Sequence, residues 1–349
     1  MLSAFALAFL LPATVAALYY FVLTTLAYIP FKPVARPAAP TAFAVLVPAH
    51  NEALSLPATL RSLQSLEYQH VQICVIADNC DDDTAAVARS FGASVIERFN
   101  PLERGKGYAL EYALNQILPT KPDAVLILDA DGELAPDTCR WFAARLADCE
   151  VVQGSIRTRN SGDGASGLVA AIGNKLDDAV STGRDRLGWR VPLRGSNMAF
   201  RREVLERVPW TCHGLTEDAE YGEKLRATGV RVRFEPRAKA RSESPARLDV
   251  LTQQRRRWRA AITWSTLLDS KPLVLAHLLL TTVVVIAVGE FKVWLAAIWL
   301  LTCAVYLPVL EVRSLQLLPG IPRVIWRLLV VTLGRSESTW QRTRRVVEG

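Results

Sequence analysis

Two aspartates one residue apart, Asp129 and Asp131, follow directly on the apolar run Ala124-Val-Leu-Ile-Leu128. Such a run suits a buried strand of a parallel sheet, and Gly132 behind the pair supplies the loose backbone of a tight turn. In open α/β sheets the ligand crevice lies outside the carboxyl ends of the strands. Carboxylates placed there share a hard cation such as Mg²⁺ or Mn²⁺ with substrate phosphates. A solvated loop is the plainer reading of the same tripeptide, so the surrounding chain must decide. Arg104 and Lys106, flanking Gly105 and followed by Gly107, make a flexible cationic loop suited to phosphate, against the alternative of an ordinary basic loop. Asp78 ends a second apolar run and is placed to accept hydrogen bonds from a base or ribose, whereas Asp81 to Asp83 suit capping of the next helix. Further on, Glu217 precedes Asp218, and neighbouring like charges raise one pKa. Thr216-Glu-Asp218 also suits the start of a helix over 217–227, and both roles are compatible.

The elements that must position these groups alternate. A strand over 43–47 is followed by Pro48-Ala-His-Asn-Glu52, then by a helix over about 55–67 with Leu56, Leu60, Leu63 and Leu66 at helical spacing. The spacing predicts a strand over 71–77, a helix from Thr84, a short strand over 94–97 and a helix over about 108–118, leading into 124–128. This β-α-β-α-β-α-β order predicts an α/β fold, a doubly wound parallel sheet with a nucleotide-sized crevice. Neither G-x-G-x-x-G after the first strand nor G-x-x-x-x-G-K-[ST] occurs, which excludes a dinucleotide-binding fingerprint and a P-loop.

Half of the 349 residues are apolar and the mean hydropathy is +0.17, which points to segments in lipid. Residues 4–29 carry no charge and reach across a bilayer, so 1–30 reads as a membrane anchor and not as a signal peptide. Lys32 and Arg36 then place the following domain in the cytoplasm by the positive-inside rule. Residues 31–42, rich in Pro and Ala, read as a linker. Two more spans, 273–289 and 293–310, split by Glu290 and Lys292, look like a hairpin in a multi-pass cell-membrane protein. In 314–334, Arg323 and Arg327 stand among apolar residues, as in an interfacial amphipathic helix. The segments are thus 1–30, 31–42, a cytoplasmic domain over 43–265, a helix end with two spans over 266–313, and an interfacial segment with a basic tail over 314–349. The cysteines show no zinc or disulfide pattern. The net charge of +7 is concentrated in Arg255–Arg257 and the tail, near membrane segments. It fits anionic lipid or pyrophosphate and not nucleic acid.

These motifs carry a resemblance. Val45-Leu-Val-Pro-Ala-His-Asn-Glu52, Ala77-Asp-Asn-Cys-Asp-Asp-Asp-Thr84, Arg104-Gly-Lys-Gly107, Leu128-Asp-Ala-Asp131, Arg194-Gly-Ser-Asn197, Thr216-Glu-Asp218 and Gln254-Arg-Arg-Arg-Trp258 resemble, in order, inverting family 2 glycosyltransferases of the GT-A fold. The last matches the Q-x-x-R-W signature of membrane-bound members, which make chitin, cellulose, hyaluronan and poly-N-acetylglucosamine or glycosylate lipids. The resemblance implies a GT-A domain, doubly wound and Rossmann-like, flanked by transmembrane helices. It implies a nucleotide-sugar donor, in the first place a UDP-sugar, held by Pro48, His50, Glu52, Asp78, Arg104, Lys106 and Asp129, with Mg²⁺ or Mn²⁺ on Asp131. Asp218 resembles the catalytic base. Gly195, Ser196, Asn197, Glu217, Gln254, Arg257 and Trp258 are implied beside the acceptor and the leaving pyrophosphate. Trp340, Arg342, Thr343 and Arg344 are similar to a W-x-[KR]-T-R ending that faces the active site. Asn79-Cys80 departs from the Gly-Ser of many members and leaves the backbone after Asp78 open. The acceptor is then a lipid or glycan, with polymer synthesis and single addition to a glycolipid both open. A homo-oligomer or an export partner is expected if a polymer crosses so few helices. A membrane scaffold that retains the fold without turnover is the non-enzymatic alternative, and the presence of Asp131 and Asp218 speaks against it.

Overall fold

Residues 2–30, 41–244, 252, 271–289, 291–306 and 321–333 are described by the computed structural model. They divide into a sheet unit and a helical unit.

The sheet unit holds described residues within Phe31–Arg159 and Gly188–Glu243. Its elements are β1 (Phe43–Ala49), α2 (Leu56–Gln64), β2 (Val71–Asp78), α3 (Thr84–Ser90), β3 (Ser94–Arg98), α4 (Lys106–Ile117), β4 (Ala124–Ile127), β5 (Glu133–Leu134), α5 (Thr138–Leu146), β6 (Val151–Thr158), β7 (Met198–Arg201), α7 (Arg202–Arg207), α8 (Glu217–Ala227) and β8 (Val232–Ser242), with α1 and α6 assigned to the other unit. The strand order is β3-β2-β1-β4-β7-β6-β8-β5. The first four strands are parallel, as their apolar runs predict, because both faces are covered. Along β1, Ala44 and Leu46 face one core with Leu110 and Phe200, while Phe43, Val45 and Val47 face another with Leu60 and Phe142.

The other half corrects the expectation of a wholly parallel sheet. β7 runs antiparallel to both β4 and β6, β6 runs parallel to β8, and β5 pairs antiparallel with β8. A parallel crossover needs a helix packed back onto the sheet. The helix between β6 and β7, α6 (Ala165–Leu187), belongs instead to the helical unit, so β7 is free to reverse. Residues 160–187 group with the helical unit.

The helical unit also contains α1 (Leu2–Ala27), α9 (Lys271–Val288), α10 (Lys292–Tyr306) and α11 (Ile321–Leu333). α6 lies close along α1: a Cβ on Gly183 would come within 2.3 Å of the Leu23 carbonyl oxygen. Arg184 Nε donates to Tyr19 Oη at 2.9 Å. Polar contacts tie α1, α9 and α10 together, with His277 Nε2 3.0 Å from the Phe9 carbonyl, Trp294 Nε1 donating to Thr14 Oγ1 and Trp299 Nε1 donating to Thr282 Oγ1. Among the described residues one helix, Ala4–Ala27, is long and apolar enough to cross a membrane, and His277–Val288 and Lys292–Val305 are shorter apolar helices. α11 is amphipathic, with Val324 and Leu328 packed on Ala165 and Val169 while Arg323, Trp326 and Arg327 are exposed. Residues 31–40 of the expected linker, 307–310 of the expected second hairpin span and 314–320 lie outside the described residues.

Candidate active site

Two clusters of strand ends make the site. The first gathers the loops after β1, β2 and β3. β1 pairs with β4 only to Leu46 but with β2 to Ala49. Pro48, which has no N–H to give, stands where the β4 ladder has ended. Beyond it, Asn51 and Asn79 adopt left-handed backbone, with φ 56° and 52°, which asparagine tolerates better than most residues. Asn79 therefore takes the left-handed turn after Asp78 without a glycine. His50 Nδ1 donates to the Asp78 carbonyl at 2.8 Å. Asp81 and Asp82 bind back across the mouth: Asp81 N donates to Asn51 Oδ1 at 2.9 Å and Ala53 N donates to Asp82 Oδ2 at 3.1 Å. Glu52 N donates to Thr84 Oγ1 at 2.8 Å. Asp81 and Asp82 thus stitch two loops, and Asp82 Oδ1 also accepts from Thr84 N at 2.9 Å at the start of α3, whose N-cap Asp83 makes no side-chain cap.

Asp78 is 6% exposed, and its Oδ1 accepts from Arg98 Nη1 at 2.8 Å. Arg98 also donates to the carbonyl and the carboxylate of Glu103, and its guanidinium lies 5.7 Å from the ring centre of Tyr108. Sequence reasoning missed Arg98. An arginine ending a short strand carries no signature, and only the β2–β3 register opposite Asp78 reveals it.

The second cluster forms around Lys106, the first residue of α4. Its Nζ donates to Asp129 Oδ1 at 2.5 Å and to the Gly195 carbonyl at 2.6 Å, and stands 4.0 Å from Glu217 Oε1. Burial works against the ammonium, but Asp129, Glu217 and Asp218 outweigh it and hold the Lys106 pKa above the usual lysine value. Lys106 therefore turns inward while Arg104 stays exposed, so the two do not act as one cationic loop. A Cβ on Gly195 would lie 3.5 Å from Asp218 Oδ2 and 3.6 Å from Lys106 Nζ, which places all three together, and φ of 78° favours glycine there. Ser196 Oγ accepts from Asp129 N at 2.9 Å and so fixes the end of β4.

Asn197 is fully buried, and its Nδ2 donates to the carbonyls of Ser155 and Ala238 at 2.8 and 2.9 Å. It locks the loop before β7 onto β6 and β8. Gln153, missed in the sequence, completes this lock by accepting from Arg194 N at 2.8 Å and donating to the carbonyls of Gly154 and Ser196. Gly154 is the matching cue, since a Cβ there would come within 2.3 Å of Asn197 Nδ2.

Glu217 and Asp218 open α8 with Thr216 at the N-cap position, where no side-chain cap forms. Burial raises the Glu217 carboxyl from the ordinary 4.5 to about 7, opposed by Lys106 and reinforced by Asp218. Asp218 is raised as well, again by burial first, with Lys106 opposing. Two buried carboxyls with raised pKa values beside a lysine suit the ionised one to taking a proton from a hydroxyl.

Asp131 is half-buried in the turn after β4. Gly132 N donates to the Asp129 carbonyl at 2.9 Å, and a Cβ on Gly132 would meet Leu128 Cδ1 at 2.6 Å, so a side chain there would displace Leu128. Among the described residues no three His, Cys, Asp or Glu side chains converge as a complete metal cage. The donor set instead fits Mg²⁺ or Mn²⁺ bound through one or two carboxylates and completed by phosphate oxygens and water. Among the described residues the carboxyls of Asp129, Glu217 and Asp218 act together on the ammonium of Lys106. Gln254, Arg257, Trp258, Trp340, Arg342, Thr343 and Arg344 lie outside the described residues.

With this geometry in hand, residues 40–261 match the family model "Glycosyltransferase like family 2". The chain belongs to this family. It is similar to a probable glycosyltransferase, YdaM, of Bacillus subtilis, 26% identical over 230 residues, covering 61% of this chain and 53% of that one. It is likewise similar to a poly-beta-1,6-N-acetyl-D-glucosamine synthase of Staphylococcus epidermidis, 26% identical over 219 residues, covering 61% and 52%. The chain thus spans about half the length of the curated relatives it matches. In fold it is similar to the mannosyltransferase PcManGT of Pyrobaculum calidifontis, solved with GDP-Man and Mn²⁺, at a TM-score of 0.62 and 20% identity, covering 95% of this chain and 99% of that one. The mixed eight-stranded sheet is therefore the family's GT-A-like architecture.

Proposed function

We propose that this chain is a membrane-bound inverting glycosyltransferase that moves a sugar from a nucleotide-sugar, in the first place a UDP-sugar, to a lipid or glycan acceptor, forming a β-linkage. The observation that carries this is the Lys106 node, which joins the strand end bearing Asp129 to Gly195 and to the Glu217–Asp218 pair. Donor-side and base-side groups thus meet at one point, as in-line displacement requires.

Asp78, oriented by Arg98, accepts from the nucleoside, while Pro48, His50 and Glu52 line the same mouth. Asp131, with Asp129 beside it, would hold Mg²⁺ or Mn²⁺; when bound, the ion supplies charge neutralisation at the donor diphosphate. Asp218 takes the proton of the acceptor hydroxyl, and Glu217 beside it tunes the pH at which this happens. The exposed apolar side chains of the helical unit, among them Leu11, Val283 and Leu300, support a multi-pass placement in the cell membrane with the sheet unit cytoplasmic. The poly-N-acetylglucosamine synthase relatives favour polymer synthesis, for which a homo-oligomer or an export partner is expected. A single addition to a glycolipid uses the same site.

Membranes containing the protein, assayed with a panel of labelled UDP- and GDP-sugars and separated into lipid and polymer fractions, should transfer one sugar in a divalent-dependent manner. Undiminished transfer in excess EDTA would remove the metal, and transfer by Asp218→Asn at the wild-type rate would remove the base. A reporter fused to the C-terminus should be accessible from the cytoplasmic side; an outer-side reporter overturns the topology.

A further inference from the structure

The loop entering α8 is clasped to α4 by contacts that none of the motifs account for. His213 stacks on Tyr108 with ring centres 3.9 Å apart and planes 5° from parallel. Its Nε2 stands 2.7 Å from Glu111 Oε2, one turn further along α4. Beneath the stack the backbones almost touch: a Cβ on Gly107 would lie 2.1 Å from the Cys212 carbonyl oxygen and 2.9 Å from His213 Cα. Lys106, Gly107, Tyr108 and Glu111 are consecutive contact points on one helix. The same first turns therefore hold the ammonium facing Asp129 and the loop that carries Glu217 and Asp218.

We propose that His213 is a positioning residue for transfer: its stack on Tyr108 and its bond to Glu111 set the Glu217–Asp218 carboxylates against Lys106 and Gly195. A carboxylate accepts only, so His213 Nε2 carries the proton that Glu111 accepts. The flat stack fixes the ring plane, and the absence of a side chain at Gly107 fixes the depth at which the loop rests. Displacing a base by about 1 Å costs on the order of a hundredfold in rate. The Asp78–Arg98 pair is held by the β2–β3 register and by Glu103, with the Tyr108 ring centre 5.7 Å from the guanidinium, so donor binding should change less than the rate when the clasp is lost.

This inference rests on the transferase reading, and the experiment separates the two. The full-length protein in membranes is compared with His213→Ala, His213→Phe, His213→Gln and Glu111→Gln for kcat, donor KM and UDP binding. The expected result is a fall in kcat of about thirtyfold to a hundredfold for His213→Ala, with donor KM and UDP affinity within about threefold. His213→Phe, which keeps the ring, and His213→Gln, which keeps a donor toward Glu111, should each recover part of the rate. A kcat within twofold of wild type for His213→Ala overturns the proposal. So does a parallel loss of kcat and UDP binding, which would mark a merely structural residue. If Asp218→Asn transfers sugar normally, the reading of the base fails instead, whatever His213 does.

Discussion

The two halves of the sheet solve the same problem by different means. In the parallel half, β3-β2-β1-β4, site groups sit at the ends of strands that point the same way, and the loops are stitched by local bonds such as Asp81 to Asn51 and Ala53 to Asp82. In the mixed half the site groups stand before β7 and at the start of α8. They are fixed by fully buried amides, Asn197 and Gln153, and by the α4 clasp. A strand-end loop stays open to ligand by construction, whereas a reversed strand must be pinned before its loop has a shape. The parallel half is held by bonds between its own loops and the buried Asp78–Arg98 pair, and the mixed half by buried amides that pin the loop before β7.

The largest expected effect tests the donor half. Asp131→Asn should lower divalent-dependent transfer by about a thousandfold, with the thermal unfolding midpoint unchanged; wild-type rates in a labelled-sugar assay would break the assignment. Asp218→Asn comes next, with transfer reduced by about a hundredfold or more while UDP binding, followed by calorimetry, stays within about threefold. Loss of UDP binding there would mean that the two halves do not divide the labour as described.

Asn197→Ala is expected to act through stability. It leaves the buried carbonyls of Ser155 and Ala238 without their donor, at a cost of about 2–3 kcal/mol, read as a lower thermal midpoint. A full loss of transfer with an unchanged midpoint would return Asn197 to the acceptor side.

The smallest effect is a shift with pH. Glu217 titrates near 7 in the folded protein against an ordinary 4.5, so the folded state binds this proton more tightly than the unfolded chain. The stability it contributes is complete below about 4.5 and is lost as the pH rises through about 7. Glu217→Gln should therefore unfold at a higher temperature than wild type at pH 8 and show little difference at pH 4. Removing the neighbouring charge also eases ionisation of Asp218. The acid limb of kcat/KM should then move down by about one pH unit; an upward move would contradict the coupling.

What was legible in the sequence follows the same division. The parallel half could be read because buried parallel strands write continuous apolar runs, and β1, β2 and β4 each end in a polar or acidic cluster. β5 and β7 are too short to write a pattern, and β7 shows its direction only through its pairing with β4. α6 was not read from the sequence; its apolar residues Leu176 and Val180 cluster with Tyr20 and Leu23 of α1 among many small and polar residues. Among site residues, Asp129, Lys106, Ser196, Glu217 and Asp218 were named in the sequence and do come together. Arg98, Gln153, Glu111 and His213 were not named, because a residue that positions another is marked by its neighbour across the fold and not by its neighbours in the chain.

The Lys106 node has a consequence for how the protein acquires activity. Lys106 is 89 residues from the carbonyl it binds at Gly195, and Asp129 is 67 residues from Ser196. Closing such long loops is slow compared with forming helices or adjacent parallel strands. The site can be assembled only after the chain has returned from the helical unit to lay β7 beside β4. During synthesis or refolding, circular dichroism should therefore report the parallel half, β3-β2-β1-β4, while transfer is still absent, and the return of turnover times the final reversal of the chain.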